Sequence, residues 1–143
     1  MKKALILSVM VIFSLFAVSS AFAGGQCPQP RKTKAAPGSV AKKDKTAKAD
    51  AANGKKLYHK TAKPMACKMC HGDKGDGTGK LGKALKPSPR NFTCKDTMKK
   101  VSAGQMFHII KNGSAGTGMA KQKLSDKEIW DVIKYIRTTF YKG

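Results

Sequence analysis

The run Cys67-Lys68-Met69-Cys70-His71 brings two thiols and an imidazole into five consecutive residues. Three chemistries use such a cluster: half of a structural zinc site, a redox dithiol, or covalent attachment of haem. Structural zinc needs four ligands, and no second C-x-x-C or H-x-x-x-H pair exists in the chain. Cys27 and Cys94 are isolated, and His59 and His108 are far from both. A thioredoxin-like dithiol belongs in a β-α-β frame, and no strand pattern occurs here. C-x-x-C-H is the attachment motif of c-type haem. It predicts thioethers at Cys67 and Cys70, with His71 as the proximal iron ligand.

A six-coordinate iron needs a second axial donor further along the chain. The stretch N-G-S-A-G-T-G-M-A places Met119 in a glycine-rich loop. Gly116 and Gly118 would let that backbone come close to a bound macrocycle. Met119 is therefore predicted as the distal ligand. Met65 and Met69 lie too near the proximal motif, Met98 is less suited, and Met106 falls on a helical face and reads as core. His59 or His108 would give bis-histidine ligation, but His108 sits mid-helix beside Phe107 and reads as structural.

Three helices are predicted to position these groups. The first is A-A-N-G-K-K-L-Y-H-K, capped by Asp50. The second follows Ser102, with Gln105 at capping-box spacing and Gly113 past its end. The third follows Ser125, with Glu128 reaching back, and carries Ile129, Val132, Ile133, Ile136 and Phe140 as one apolar stripe. Between the first two helices, five glycines from Gly72 to Gly82, then Pro87 and Pro89, preclude regular structure. So long a loop suits a small domain when it wraps something, and haem would take the place of the missing core. The fold class is all-α.

Three segments are expected: a signal peptide over residues 1–23, a basic flexible linker over 24–50, and a folded domain over 51–143. Lys2 and Lys3, the apolar run from Ala4 to Val18, and Ala21-Phe22-Ala23 form an export signal with a cleavage site. The alternative is an uncleaved anchor helix, since Ala4 to Ala23 is just long enough to span a bilayer. Gln26 precedes Cys27, which argues against lipidation. In the linker, Val40 is the only bulky aliphatic residue among many lysines and prolines, too little apolar surface to offset ordering entropy. The chain of 143 residues carries 29 Lys and Arg against 8 Asp and Glu, a net charge of +21. For an exported chain this points away from nucleic acid and toward acidic redox proteins, with the anionic membrane surface as a further docking target.

In C-K-M-C-H-G-D-K-G-D-G, L-K-P-S-P-R-N-F-T, N-G-S-A-G-T-G-M and L-S-D-K-E-I-W-D-V-I-K-Y-I-R the chain resembles the class I c-type cytochromes from about Ala51 to Tyr141. The resemblance implies a small cytochrome c fold, three or more helices wrapped around one covalently bound haem c, His/Met-ligated by His71 and Met119. It implies that Gly54 and Tyr58 face Val132 and Tyr135 where the first and last helices cross. It also implies a proline carbonyl, from Pro87 or Pro89, on the free N–H of the proximal imidazole. With haem taking two thiols, Cys27 and Cys94 remain for an intrachain disulfide, an intermolecular bridge, or free thiols. The expected function is a monomeric, non-enzymatic periplasmic carrier of single electrons between envelope partners. Lys68, Lys80, Lys83, Lys86 and Lys121 are candidates to steer acidic partners. The alternatives are a tethered subunit of a membrane-associated redox complex and a haem enzyme with a labile distal ligand.

Overall fold

Apolar side chains recur at helical spacing after Ser125, and the helix they form organises the molecule. The structure is a computed structural model that describes residues 25–30 and 33–141; the predicted signal peptide lies outside the described residues. Six helices occur among these residues, and no strand: α1 (Gly38–Ala41), α2 (Ala51–Lys56), α3 (Lys68–His71), α4 (Lys95–Met98), α5 (Ala103–Asn112) and α6 (Asp126–Thr139). A π-turn over Leu57–Thr61 extends α2. None of the described helices is long and apolar enough to cross a membrane.

The start of α6 is held by a complete capping box: Glu128 N–H donates to Ser125 Oγ at 3.3 Å, and Ser125 N–H donates to Glu128 Oε2 at 2.8 Å. Ile129, Val132, Ile133 and Ile136 are at most 2% exposed and form the centre of the core. Burying each contributes about 1.5–3 kcal/mol before entropy is subtracted. Asp50 caps α2 as predicted, accepting from the N–H groups of Ala52 and Asn53. At Gly54, α2 presses on α6: a Cβ there would run into the Asp131 carbonyl and lie 2.9 Å from Tyr135 Cβ. Tyr58 packs against the same helix, its ring centroid 5.5 Å from that of Tyr135.

In α5 the predicted capping box is half made. Gln105 N–H donates to Ser102 Oγ at 3.1 Å, and Gly113 N–H closes the far end on the Ile109 carbonyl. The Gln105 carboxamide turns away instead. Its Oε1 accepts from Ala36 N–H at 2.7 Å and its Nε2 donates to the Lys34 carbonyl at 2.9 Å.

Those contacts belong to the segment expected to be a flexible linker, whose described residues meet the domain at several points. Cys27 and Cys94 form an intrachain disulfide with Cα atoms 5.5 Å apart. Gly25 N–H donates to the Asp76 carbonyl at 3.0 Å, and Asn91 Nδ2 donates to the Gly25 carbonyl at 2.9 Å. Helix α1 sits on α5 at Gly104, where a Cβ would meet the Val40 carbonyl, and Ser102 Oγ donates to the Ala41 carbonyl at 2.7 Å. The segment's described residues are tied to the domain by hydrogen bonds and one covalent link, neither of which apolar content registers. Lys42, Lys43, Lys45 and Lys48 stay exposed.

Candidate functional site

The one-turn helix α3 carries the C-x-x-C-H motif, with His71 N–H donating to the Cys67 carbonyl at 2.9 Å. The glycine-rich loop folds back on the motif's own backbone: Gly77 N–H donates to the His71 carbonyl, Gly79 N–H to Cys70 and Leu81 N–H to Met69, at 2.8–3.1 Å. These hydrogen bonds give a long irregular loop a fixed path around the motif.

Beside α3 lies a cavity of about 380 Å³, within the range of roughly 300–1,000 Å³ usual for ligand pockets. Cys70, His71 and Met119 line it together with apolar side chains such as Leu85, Phe92 and Ile109. Gln29 and Thr33 of the N-terminal segment line it too. Cys67 is not on its wall; it packs against the core next to the cavity's helix.

His71 is buried, and its Nδ1 lies 3.0 Å from the Arg90 carbonyl. A carbonyl only accepts, so Nδ1 carries the hydrogen and Nε2 keeps its lone pair. The Phe92 ring stacks on the imidazole, centroids 4.5 Å apart and planes 19° off parallel. Burial lowers the pKa of His71, which favours the neutral ring that a metal ligand requires. The carbonyl expected from Pro87 or Pro89 is therefore that of Arg90. The Pro89 carbonyl turns to Gln29 Nε2, at 2.8 Å, and the next one meets the histidine.

Burial pushes the Cys67 thiol up to about 12 and raises that of Cys70 as well, so neither is poised as a reactive thiolate. That disfavours a redox dithiol. Among the described residues no group of three or more His, Cys, Asp or Glu side chains could hold a metal ion, which disfavours zinc. The donor set that remains suits haem: the Cys70 thiol, a neutral imidazole and a thioether at an apolar cavity, with the second free thiol, Cys67, three residues before Cys70.

Met119 is half-buried, and its loop is tied down. Its N–H donates to Thr117 Oγ1 at 3.0 Å, and its carbonyl accepts from Ser114 N–H at 2.8 Å. Met98 and Met106, 1% and 6% exposed, also reach the cavity, from helices α4 and α5. Helix α4, which carries Met98, is only four residues long and leaves no periodic signal in the sequence. The other histidines are engaged elsewhere. His59 Nε2 meets Tyr135 Oη at 2.9 Å and its Nδ1 meets Asp73 at 3.3 Å, while His108 Nδ1 faces Asn112 Nδ2 at 3.1 Å.

A helical domain with C-x-x-C-H at the wall of an apolar cavity defines a haem-binding class of protein. Residues 51–140, more than half the chain, match the cytochrome c family model, and the chain belongs to that family. Membership implies covalently bound haem c and a role in electron transfer. No curated protein matches the chain. Among solved structures, a chain of the Kuenenia stuttgartiensis reducing HAO-like protein complex Kustc0457/Kustc0458 is similar at 23% identity over 61% of this chain, with a TM-score of 0.48. The match spans 41% of that chain, and at this score it carries no argument about function.

Proposed function

We propose that the chain is an exported class I monohaem cytochrome that carries single electrons between envelope redox partners. Cys67 and Cys70 would form the thioethers, and His71 and Met119 the axial pair. The observation that carries this reading is the His71 ring, with Nδ1 bound to the Arg90 carbonyl, sharing one cavity with Cys70 and Met119. Haem supplies a one-electron iron couple when bound. The chain's own residues do the rest. The Arg90 carbonyl fixes the imidazole and raises its basicity, the 114–119 hydrogen bonds hold the thioether, and the apolar wall keeps water out.

Two protein ligands leave no open position, which favours electron exchange over substrate chemistry and supports a carrier rather than an enzyme. The Cys27–Cys94 disulfide supports an oxidising compartment, in line with export to the periplasm. Lys80, Lys83, Lys86 and Lys121 are exposed and available to steer acidic partners, whereas Lys68 is paired with Asp73 at 3.1 Å.

The test combines the mass of the mature protein with spectra of the oxidised state. One haem added and residues 1–23 removed are the expected mass changes, in a monomer by gel filtration. Met119→Ala should abolish the thioether-to-iron band at the red end of the visible spectrum, and Met98→Ala should leave it. The reverse result would reassign the distal ligand, and a colourless mature protein would remove the reading altogether.

A further inference from the structure

The N-terminal segment, which the cytochrome c match starting at residue 51 does not include, lines the haem cavity with Gln26, Gln29, Pro30 and Thr33, and the Gln29 side chain bonds the backbone beside His71. The Gln29 carboxamide brackets Arg90. Its Nε2 donates to the carbonyl before it, that of Pro89, at 2.8 Å. Its Oε1 accepts from the N–H after it, that of Asn91, at 3.0 Å, and from Arg90 Nη1 at 3.2 Å. The Asn91 N–H and the Arg90 C=O belong to one peptide unit. That unit is therefore held at both ends, by Gln29 on its N–H and by His71 Nδ1 on its carbonyl.

We infer that Gln29 is a positioning residue for the proximal histidine, acting through the Arg90–Asn91 peptide. The inference rests on the haem reading above. Two physical effects link the carboxamide to the imidazole. Fixing the peptide plane aims the carbonyl at Nδ1. Accepting from the peptide N–H also polarises the unit, so its oxygen becomes a stronger acceptor. A stronger acceptor on Nδ1–H makes the imidazole a better donor at Nε2, which favours the oxidised iron. Gln29 itself is anchored. Its backbone N–H donates to Thr97 Oγ1 at 3.2 Å, and the disulfide from Cys27 to Cys94 lies two residues away. The disulfide thereby belongs to the same device, with Cys27 holding the strap and Cys94 leading into α4, which carries Thr97.

The test uses haem-loaded full-length protein and two readouts besides electron-transfer rate. These are the midpoint potential and the paramagnetically shifted haem methyl resonances, which report the orientation of the axial ligands. Gln29→Met keeps the volume and removes all three side-chain hydrogen bonds. It should raise the potential and redistribute the methyl shifts. Cys27→Ser/Cys94→Ser should move both readouts in the same direction by less, and adding it to Gln29→Met should give less than the sum, as residues sharing one network do. A Gln29→Met protein with lowered melting temperature but wild-type potential and methyl pattern would overturn the inference, leaving Gln29 a strap contact only. Should that variant not accumulate folded, the cysteine pair variant decides, and an unchanged potential there overturns it equally. Wild-type protein without haem would instead sink the parent reading, an outcome distinct from any of these.

Discussion

Asp131 is a carboxylate with no exposed surface on the helix that anchors the core. Burial alone would raise its pKa. Hydrogen bonds from Asn53 Nδ2, Asp50 N–H and Lys127 Nζ, each at 2.8–2.9 Å, outweigh that and hold the carboxyl below its ordinary 3.8. A group with a lowered folded pKa stabilises the fold at pH above its unfolded value, and that contribution fades as pH falls through the folded one. Stability should therefore be insensitive to this group near neutrality and decline as pH drops below 3.8, with Asp44, Asp73, Asp96 and Glu128 shifted in the same direction. Asp131→Ala should cost roughly 1–3 kcal/mol at neutral pH by leaving buried donors unpaired. It should also flatten part of the acid limb. Denaturant melts of both proteins across the acid range check this, and an unchanged acid limb would contradict it. Nothing in the sequence marks Asp131, because a lone carboxylate in an amphipathic helix reads as solvent-facing until α2 is laid across it.

At the scale of elements, the crossing of α2 on α6 is set by a close backbone approach at Gly54. A methyl at Gly54 meets backbone, not the end of a flexible side chain. Alanine is about 1 kcal/mol better than glycine in an exposed helix. At Gly54 the overlap should reverse that sign, and Gly54→Ala should destabilise by about 1–3 kcal/mol as the helices separate. The reading is a lower denaturant midpoint at unchanged slope. A more stable variant would mean that the two backbones do not touch there. This contact was foreseen from the resemblance, whereas the partnership of α5 with the N-terminal strap was not. Gln105 occupies the position of a capping residue, and only the strap's carbonyl and N–H groups reveal that its amide is used elsewhere.

Over the whole molecule, the disulfide joins residues 67 apart and closes the basic strap onto the domain. A loop of this size is worth roughly 2–4 kcal/mol through the unfolded chain it constrains. Cys27→Ser/Cys94→Ser should lower the melting temperature accordingly while the haem absorbance stays in place. Loss of haem from that variant during maturation would show instead that the strap is needed to assemble the site. The small domain thus gains closure from three sides: the disulfide, the loop folded on its own motif, and the cofactor its family carries.

The sequence alone was enough for the all-α class, the caps at Asp50, Ser102 and Ser125, the C-x-x-C-H motif and the glycine loop around Met119. Each depends on residues within a few positions of one another, so spacing and residue type report it directly. Tertiary structure decided that Arg90, not a proline, offers the carbonyl to His71, that Cys27 pairs with Cys94, and that Met98 shares the cavity. It also decided that Gln29, Gln105 and Asp131 close networks across 60 to 81 residues of chain. A polar side chain can bond many partners, and its type carries no record of which one folding brings within 3 Å.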